Sequence, residues 1–210
     1  MRLINFLSYR GASLLMLGLF WSQGLSAQTI KSKKYFPLVE GSRYTYIGLF
    51  DKKEYTKAII CQAHTTEEGV KFYYFRETAD PNSIIGSNMF GLGSYSITKD
   101  GIVNAETFWW RDLAKLDQLV PQLLLPKKFR LQNPPILQLD AGKAQKTVKF
   151  LSLEDVSVPQ GKYKNCLKVH IKTVWDSGTV YNEYIWLAKG VGMVKWQKTT
   201  GRIDELTYFK

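Results

Sequence analysis

Apolar and polar residues alternate with a period of two along most of the chain. The clearest case lies in residues 161–175, where an apolar set alternates with a lysine-rich set: Leu167, Val169, Ile171, Thr173 and Trp175 against Lys164, Cys166, Lys168, His170 and Lys172. Such alternation is typical of a β-strand with one buried face. A similar alternation covers residues 42–47, residues 54–63 form a second extended run, and residues 70–75 are aromatic-rich and a poor helix. The pattern therefore predicts a chain built mainly of strands.

Short turn sequences separate these runs. Asp100-Gly101 is a hairpin signal, and turns that contain Gly161, Gly178 or Gly201 punctuate the last third. An aromatic content of 14% also suits strands. The predicted fold class is all-β and mainly antiparallel: a curved sheet or half-barrel meander with one or two short helices.

Gly190-Val191-Gly192 raises the question of a phosphate-binding loop. Such a loop needs a glycine-rich turn that runs into a helix N-terminus, so that backbone N–H groups point at the anion. The residues after Gly192 instead alternate like a strand, from Met193 to Lys198. We therefore interpret the two glycines as the bend or bulge between two strands.

Residues 111–125 break the period of two. Five apolar residues fall at helical spacing: Leu113, Leu116, Leu119, Val120 and Leu123. We expect a short helix with a kinked continuation after Pro121. A curled sheet that does not close leaves an apolar concave face, whose contact with water costs ~25 cal/mol per Å². The segment is predicted to cover that face as a lid over an apolar cavity; the alternative is that it only closes the core.

The first 27 residues have the order of a secretory signal peptide. Arg2 and Arg10 lie in a segment without acids, an apolar run covers residues 11–21, and small residues follow. Cleavage after Ser26 or Ala27 fits this order; the alternative is a retained membrane anchor. The prediction is a signal peptide at 1–27 and a single β-rich domain at 28–210, exported to the periplasm or the extracellular space and without a transmembrane span.

The chain is basic, with a formal net charge of +11. Removing the leader, which carries two arginines and no acids, leaves +9. A basic surface suits anionic envelope components, and export makes nucleic acid the weakest candidate partner. Lysines such as Lys52, Lys57 and Lys71 are scattered, which favours a solvated charged surface. Acids such as Glu54 and Asp204 are likewise expected at turns or on polar faces.

Each of the two cysteines has a histidine close by in the sequence. Cys61 and His64 are three residues apart, and Cys166 and His170 are four apart. Positions three apart on a strand face opposite sides and no Cys-x-x-Cys pair exists, so we expect no metal site. An oxidising compartment favours a Cys61–Cys166 disulfide, particularly because Cys166 falls on the lysine face. The alternative is two small, half-buried residues in separate strands.

The sequence contains no catalytic signature that we can identify. A Gly-x-Ser-x-Gly elbow and a His-Glu-x-x-His motif are both missing, and nothing places two acids opposite each other as a glycosidase requires. We therefore expect a protein that is not an enzyme, with no catalytic residue, no metal and no cofactor.

Three stretches carry a resemblance to known proteins: YFPLVEGS at 35–42, VPQGKYKNCLKV at 158–169 and WLAKGVGMVK at 186–195. Together they resemble exported bacterial proteins of unknown function. More loosely, the expected shape is similar to the half-barrels of periplasmic lipoprotein carriers of the LolA type, which hold acyl chains on a concave apolar face. Residues 84–146 match neither group. The resemblance implies an exported protein, and no functional residue is carried over from it.

Three functions remain open at this level. The first is a non-catalytic envelope protein that binds a hydrophobic or lipid-like ligand on its curved sheet. The second is a glycan- or protein-interaction module of the cell envelope, which would use Trp, Tyr and Lys on one sheet face. The third is an enzyme whose site the sequence does not reveal.

Overall fold

The computed structural model of the chain describes residues 28–67, 69–78, 94–105, 122–140 and 144–210. These residues form one short helix, α1 (Ser32–Tyr35), and fourteen strands: β1 (Thr29–Lys31), β2 (Arg43–Phe50), β3 (Lys53–Thr65), β4 (Lys71–Glu77), β5 (Ser94–Ile97), β6 (Gly101–Ala105), β7 (Gln122–Pro126), β8 (Lys128–Arg130), β9 (Ile136–Asp140), β10 (Ala144–Val158), β11 (Gly161–Trp175), β12 (Val180–Ala188), β13 (Gly192–Lys198) and β14 (Ile203–Phe209). Within those ranges, no helix has the length and apolarity that a membrane span requires.

Twelve strands form one antiparallel sheet in the order β7-β6-β5-β4-β3-β2-β14-β13-β12-β11-β10-β9, and β1 pairs with β8 in a small second sheet. Within the large sheet, every pair of neighbouring strands is consecutive in the chain, except that β14 pairs with β2 and joins the two halves of the chain. Cα atoms of the edge strands β7 and β9 approach within 8 Å, so the sheet is nearly closed into a barrel. The predicted all-β, mainly antiparallel fold is confirmed.

One face of this sheet carries the core, and we call it the inner face. Residues directly opposite each other on paired strands point to the same side. Tyr46 lies opposite Lys57 and Leu206, and Trp196 lies opposite Asp204 and Ile185. These four partners are buried, as are Tyr46 and Trp196 themselves. We call the end with the turns at 51–52, 176–179 and 199–202 the upper end, and the end with the turns at 159–160 and 189–191 the lower end.

The N-terminal segment, residues 30–38, fills the lower end of the inner face. Its apolar side chains are buried: Ile30, Tyr35, Phe36 and Leu38. The Phe36 ring lies 5.1 Å from the ring of Tyr95 and 6.0 Å from that of Phe75, measured between centroids. The backbone N–H of Gly190 donates to the carbonyl of Lys34, which ties the segment to the turn between β12 and β13. The concave face is therefore covered, at this end, by a part of the chain that the sequence pattern did not indicate.

Two predicted turns are confirmed. Asp100 and Gly101 connect β5 with β6, which pair antiparallel. Gly190 and Gly192 lie at the bend between β12 and β13 and have φ angles of 77° and 99°, in the region that favours glycine. The pairing of β12 with β13 also shifts register beside Leu187, as expected for a bulge. No helix follows Gly192, so this bend lacks the N-terminus on which a phosphate loop depends.

The predicted lid segment is only partly within the described residues. Leu113, Leu116, Leu119 and Val120 lie outside them, so their role stays a prediction. Leu123 is described, and the helical continuation predicted for it is wrong: it lies in β7, opposite Val103 of β6. Sheet pairing with β6 satisfies the backbone here, and this tertiary contact overrides the helical spacing of the leucines. Pro126 ends the strand.

Candidate functional site

The inner face changes from apolar to charged at its upper end. We call the following residues the inner-face cluster: Tyr55, Lys57, Glu183, Trp196, Lys198, Arg202 and Asp204. Register places their strands side by side, since β3, β2, β14, β13 and β12 are consecutive neighbours in the sheet. The cluster contains three cations and two carboxylates. A charged group of this kind inside a sheet is unusual, because burying a charge is unfavourable unless partners compensate it.

Lys57 and Asp204 form a buried ion pair at the centre of the cluster. The ammonium of Lys57 donates to Oδ2 of Asp204, and the Tyr55 hydroxyl donates to Oδ1. The side chains of Lys57 and Asp204 are 4% and 0% exposed. Burial lowers the pKa of Lys57, and the Asp204 carboxylate opposes that effect. Both oxygens of Asp204 are thus engaged by partners within the protein.

Gly48 makes room for this arrangement. It lies opposite Tyr55 on β3 and opposite Asp204 on β14. A Cβ atom added to Gly48 would lie 2.1 Å from Cζ of Tyr55 and 2.5 Å from Oδ1 of Asp204, both far inside van der Waals contact. The Tyr55 ring therefore lies against the backbone of β2, where it can reach the carboxylate. Burial, followed by the contact with Asp204, raises the pKa of the Tyr55 phenol.

Arg202 lies among aromatic rings at the upper rim. Its guanidinium carbon lies 5.0 Å from the ring centre of Trp196, 5.1 Å from that of Tyr55 and 6.0 Å from that of Phe50. The ammonium groups of Lys57 and Lys198 are each 5.9 Å from the Trp196 ring. Cations within about 6 Å of a ring centre are attracted to its face. Trp196 is thus surrounded by three cations.

Glu183 and Lys198 form the second charge pair of the cluster. They lie opposite each other on β12 and β13, with Lys198 Nζ 3.6 Å from Oε1 of Glu183. Burial raises the pKa of Glu183, and the charges of Lys198 and Lys146 oppose this. The Lys198 ammonium also lies 4.8 Å from the ring centre of Tyr181. This pair extends the charged region from β13 toward β12.

A cleft of about 410 Å³ adjoins the cluster at its rim. Its lining comes from the β2–β3 hairpin and from the turn before β14: Phe50, Asp51, Lys53, Glu54, Tyr55 and Arg202. Ligand pockets in proteins commonly have volumes of about 300–1,000 Å³ and combine apolar walls with a few polar groups. Phe50 is half exposed and supplies the apolar wall, while Arg202 and Tyr55 connect the cleft with the buried charges. This rim is the candidate binding site.

Sequence reasoning placed two of these residues wrongly. Lys57 was expected among solvated lysines and Asp204 among solvated acids, but both are buried on the inner face. Each takes the apolar positions of its strand: Lys57 falls between Tyr55 and Ile59 in the period of two, and Asp204 precedes Leu206. The sequence did contain a signal for their burial: two residues of opposite charge occupy inward positions on separate strands. Only the sheet register shows that the two residues meet.

The predicted Cys61–Cys166 disulfide is not formed. Both cysteines are buried free thiols, Cys61 on β3 and Cys166 on β11. Cys166 lies opposite Glu154 but is fully buried as part of the core cluster, beside a register shift and next to Asn165, whose φ is 52°. Burial raises the pKa of the Cys61 thiol to about 12 and that of Cys166 to about 11. Neither is a reactive thiolate.

The histidines are not close to a set of metal-binding groups. Within the described ranges, no three His, Cys, Asp or Glu side chains lie close enough together to hold a metal ion. His170 stacks on Tyr184, 5.0 Å between ring centres, and its Nε2 is 3.0 Å from the Asn182 side-chain oxygen. His64 is exposed near the end of β3. The inner-face cluster, in contrast, is suited to binding a ligand through charge and through contact with aromatic rings.

No protein-family model matches the sequence, and no curated protein matches it. Two solved structures are similar to this chain. One is a candidate exported protein with a YmcC-like fold from Bacteroides fragilis, 17% identical, with a TM-score of 0.42. The other is a candidate lipoprotein from Parabacteroides distasonis, 14% identical, with a TM-score of 0.41. Each alignment covers 84% of this chain and 98% of the other. Neither likeness identifies a ligand or an activity for this chain.

Proposed function

We propose that this chain is an exported, non-catalytic envelope protein that binds a lipid-like, amphipathic ligand at the upper end of its inner face. Export rests on the order of basic, apolar and small residues in positions 1–27, which lie outside the described residues. Binding rests on one observation above all. Aromatic rings and cations gather at the rim of the inner face, next to a cleft of about 410 Å³.

The position of the ligand follows from what fills the sheet. The N-terminal segment occupies the lower end of the inner face with Tyr35 and Phe36, so the upper end is the better place for a ligand. There Phe50 and Tyr55 offer apolar surface and Arg202 offers charge. An amphipathic molecule needs both kinds of surface side by side. The ligand would lie along the rim rather than deep in the sheet.

An outer-face site for a glycan or protein partner is less favoured. Trp186 and Tyr184 lie on the outer face of β12 beside Lys168, whose ammonium is 5.0 Å and 5.6 Å from their ring centres. Glu154 pairs with Lys168 and accepts a hydrogen bond from the Trp186 indole. These contacts leave Trp186 only 8% exposed. A ring covered in this way offers little face for a sugar to stack on.

Binding can be tested with acyl probes and one pair of matched variants. Phe50 and Ile136 are similarly exposed apolar residues, at 52% and 59%, but only Phe50 lines the cleft. We expect dodecyl probes, titrated below their micelle concentration, to bind the wild type. Phe50→Ser should weaken binding about threefold or more, since it removes apolar contact area, and Ile136→Ser should leave it unchanged. Equal effects of the two substitutions, or no binding of any dodecyl probe, would contradict the proposal.

The lid remains a part of this proposal. Polar substitutions at Leu116 and Leu119 should abolish retention of an acyl chain if the segment is a lid, or destabilise the fold if it closes the core. Native mass spectrometry of the purified variant, together with its thermal unfolding, separates the two outcomes. If neither property changes, both interpretations of the segment are wrong.

A further inference from the structure

The charges of the inner-face cluster do not balance. Lys57 is paired with Asp204, and Lys198 has Glu183 as its nearest carboxylate. Arg202 is the third cation. Among the described residues, the nearest carboxylate oxygen to it is Oδ2 of Asp204, 3.8 Å from Nη2, which is too long for a hydrogen bond. Asp204 is in any case engaged by Lys57 and Tyr55.

The side chain of Arg202 is held in place before any ligand arrives. Its Nε–H donates to the Tyr55 hydroxyl at 2.7 Å, and its guanidinium carbon lies within 6.0 Å of the ring centres of Trp196, Tyr55 and Phe50. No hydrogen bond joins Nη1 or Nη2 to any of the residues that the structure describes. The side chain is 27% exposed and lines the cleft. The N–H groups of both terminal nitrogens, Nη1 and Nη2, are thus available at the rim on a side chain that is already held in place.

We infer that Arg202 binds an oxyanion, a phosphate or carboxylate headgroup, through parallel hydrogen bonds from its guanidinium. The planar fork of arginine matches the spacing of two oxygens on such a group, and these charge-assisted bonds are among the stronger ones in proteins. The inference rests on the proposed function and narrows it, since it makes the amphipathic ligand an anionic one. The acyl chain would then extend along Phe50.

Other charges of the cleft bear on this assignment. Asp51 and Glu54 line the cleft with Lys53, so the lining itself carries two carboxylates and two cations. The two carboxylates repel an anion. The site therefore suits one anionic headgroup that is held close to Arg202. Removing one of them should strengthen anion binding. Glu54→Gln is the cleaner choice, because Asp51 has a φ of 49° and contributes to the β2–β3 turn.

The experiment compares headgroups on one chain length. Dodecyl phosphate, uncharged dodecyl maltoside and inorganic phosphate are titrated into the folded protein below micelle concentrations. We expect dodecyl phosphate to bind at least about tenfold more tightly than dodecyl maltoside, since a single hydrogen bond to a charged group already supplies that ratio. Arg202→Gln should abolish this preference while dodecyl maltoside still binds. Arg202→Lys should retain part of it, because lysine keeps the charge without the fork.

Each result has a distinct meaning. Equal binding of the phosphate and the maltoside by the wild type overturns the oxyanion site and leaves the proposed function standing. Binding of inorganic phosphate that depends on Arg202, without binding of either dodecyl probe, supports the site and overturns the lipid-like ligand. Arg130→Gln, at an exposed position on β8, is the control for net charge. Weakened binding in Arg130→Gln as strong as in Arg202→Gln would also overturn the site. Thermal unfolding of every variant checks that the fold is intact.

Discussion

The ring of Tyr55 lies directly against the backbone of Gly48, across the β2–β3 hairpin. A methyl group at position 48 would overlap Tyr55 Cζ at 2.1 Å. Gly48→Ala should therefore push the ring away from Asp204 and destabilise the fold by about 1–3 kcal/mol, the usual range for overpacking. Urea unfolding measures this. In a Tyr55→Ala background the same substitution should have a smaller effect, and an equal effect would show that the ring is not the obstacle.

The buried pair of Lys57 and Asp204 is expected to depend on both members. Lys57→Met leaves the Asp204 carboxylate buried without its cation, which should lower the free energy of unfolding by about 3–5 kcal/mol. The double variant Lys57→Met, Asp204→Asn should recover much of that loss.

The exposed pair of Lys71 and Glu40 serves as the control for the buried one. Its N–O distance is 3.0 Å, with side chains 46% and 56% exposed. Lys71→Met should change the free energy of unfolding by at most about 1 kcal/mol, because water screens such pairs. If Lys57→Met lowered the free energy of unfolding by no more than Lys71→Met does, the role assigned to the buried pair would be contradicted.

Glu183 should make stability depend on pH. Burial raises its pKa above the ordinary value of 4.5, so the folded state binds a proton more tightly than the unfolded state does. The stability that this group contributes is present below pH 4.5 and is lost as pH rises through the folded pKa. Glu183→Gln does not titrate, and it should gain stability relative to the wild type between pH 4.5 and pH 7. Denaturant unfolding at several pH values tests this, with Glu67→Gln as the exposed control.

Phe36 should be essential for stability although it lies in no strand. It is buried among Phe75 and Tyr95 at the lower end of the inner face. Phe36→Ala should destabilise the fold by about 3–5 kcal/mol, because it leaves a cavity in an aromatic cluster. Val39→Ala, three residues later and 55% exposed, should have little effect on the thermal unfolding midpoint. Equal effects would mean that the segment does not pack as described.

The two cysteines should behave as buried thiols. Since burial raises the pKa of Cys61 to about 12 and that of Cys166 to about 11, iodoacetamide at pH 8 should label the folded protein slowly. In denaturant without reductant, both should be labelled, which mass spectrometry detects as two adducts. If the cysteines were labelled only after prior reduction, this would show that the Cys61–Cys166 disulfide is formed.

Local patterning was enough to predict the class of fold. The period of two in β11 and the turns at Asp100-Gly101 and Gly190-Val191-Gly192 depend on residues close together in the chain, so they can be read without knowing the tertiary structure. The same reasoning excluded a phosphate loop after Gly192. It was less reliable where neighbouring strands decide the backbone, as at Leu123, whose helical spacing gave way to pairing with β6.

The candidate site depends on long-range register, and the sequence alone could not assemble it. Lys57 and Asp204 are 147 positions apart, and they meet because β14 pairs with β2 and β2 with β3. Which residue covers an inner face is likewise set by packing: Phe36 and Tyr35 enter the core from a segment with no clear period. Alternation determines which side of a strand a residue faces. Only the closing of the sheet determines which partner it meets there, because that depends on how strands distant in sequence are placed side by side.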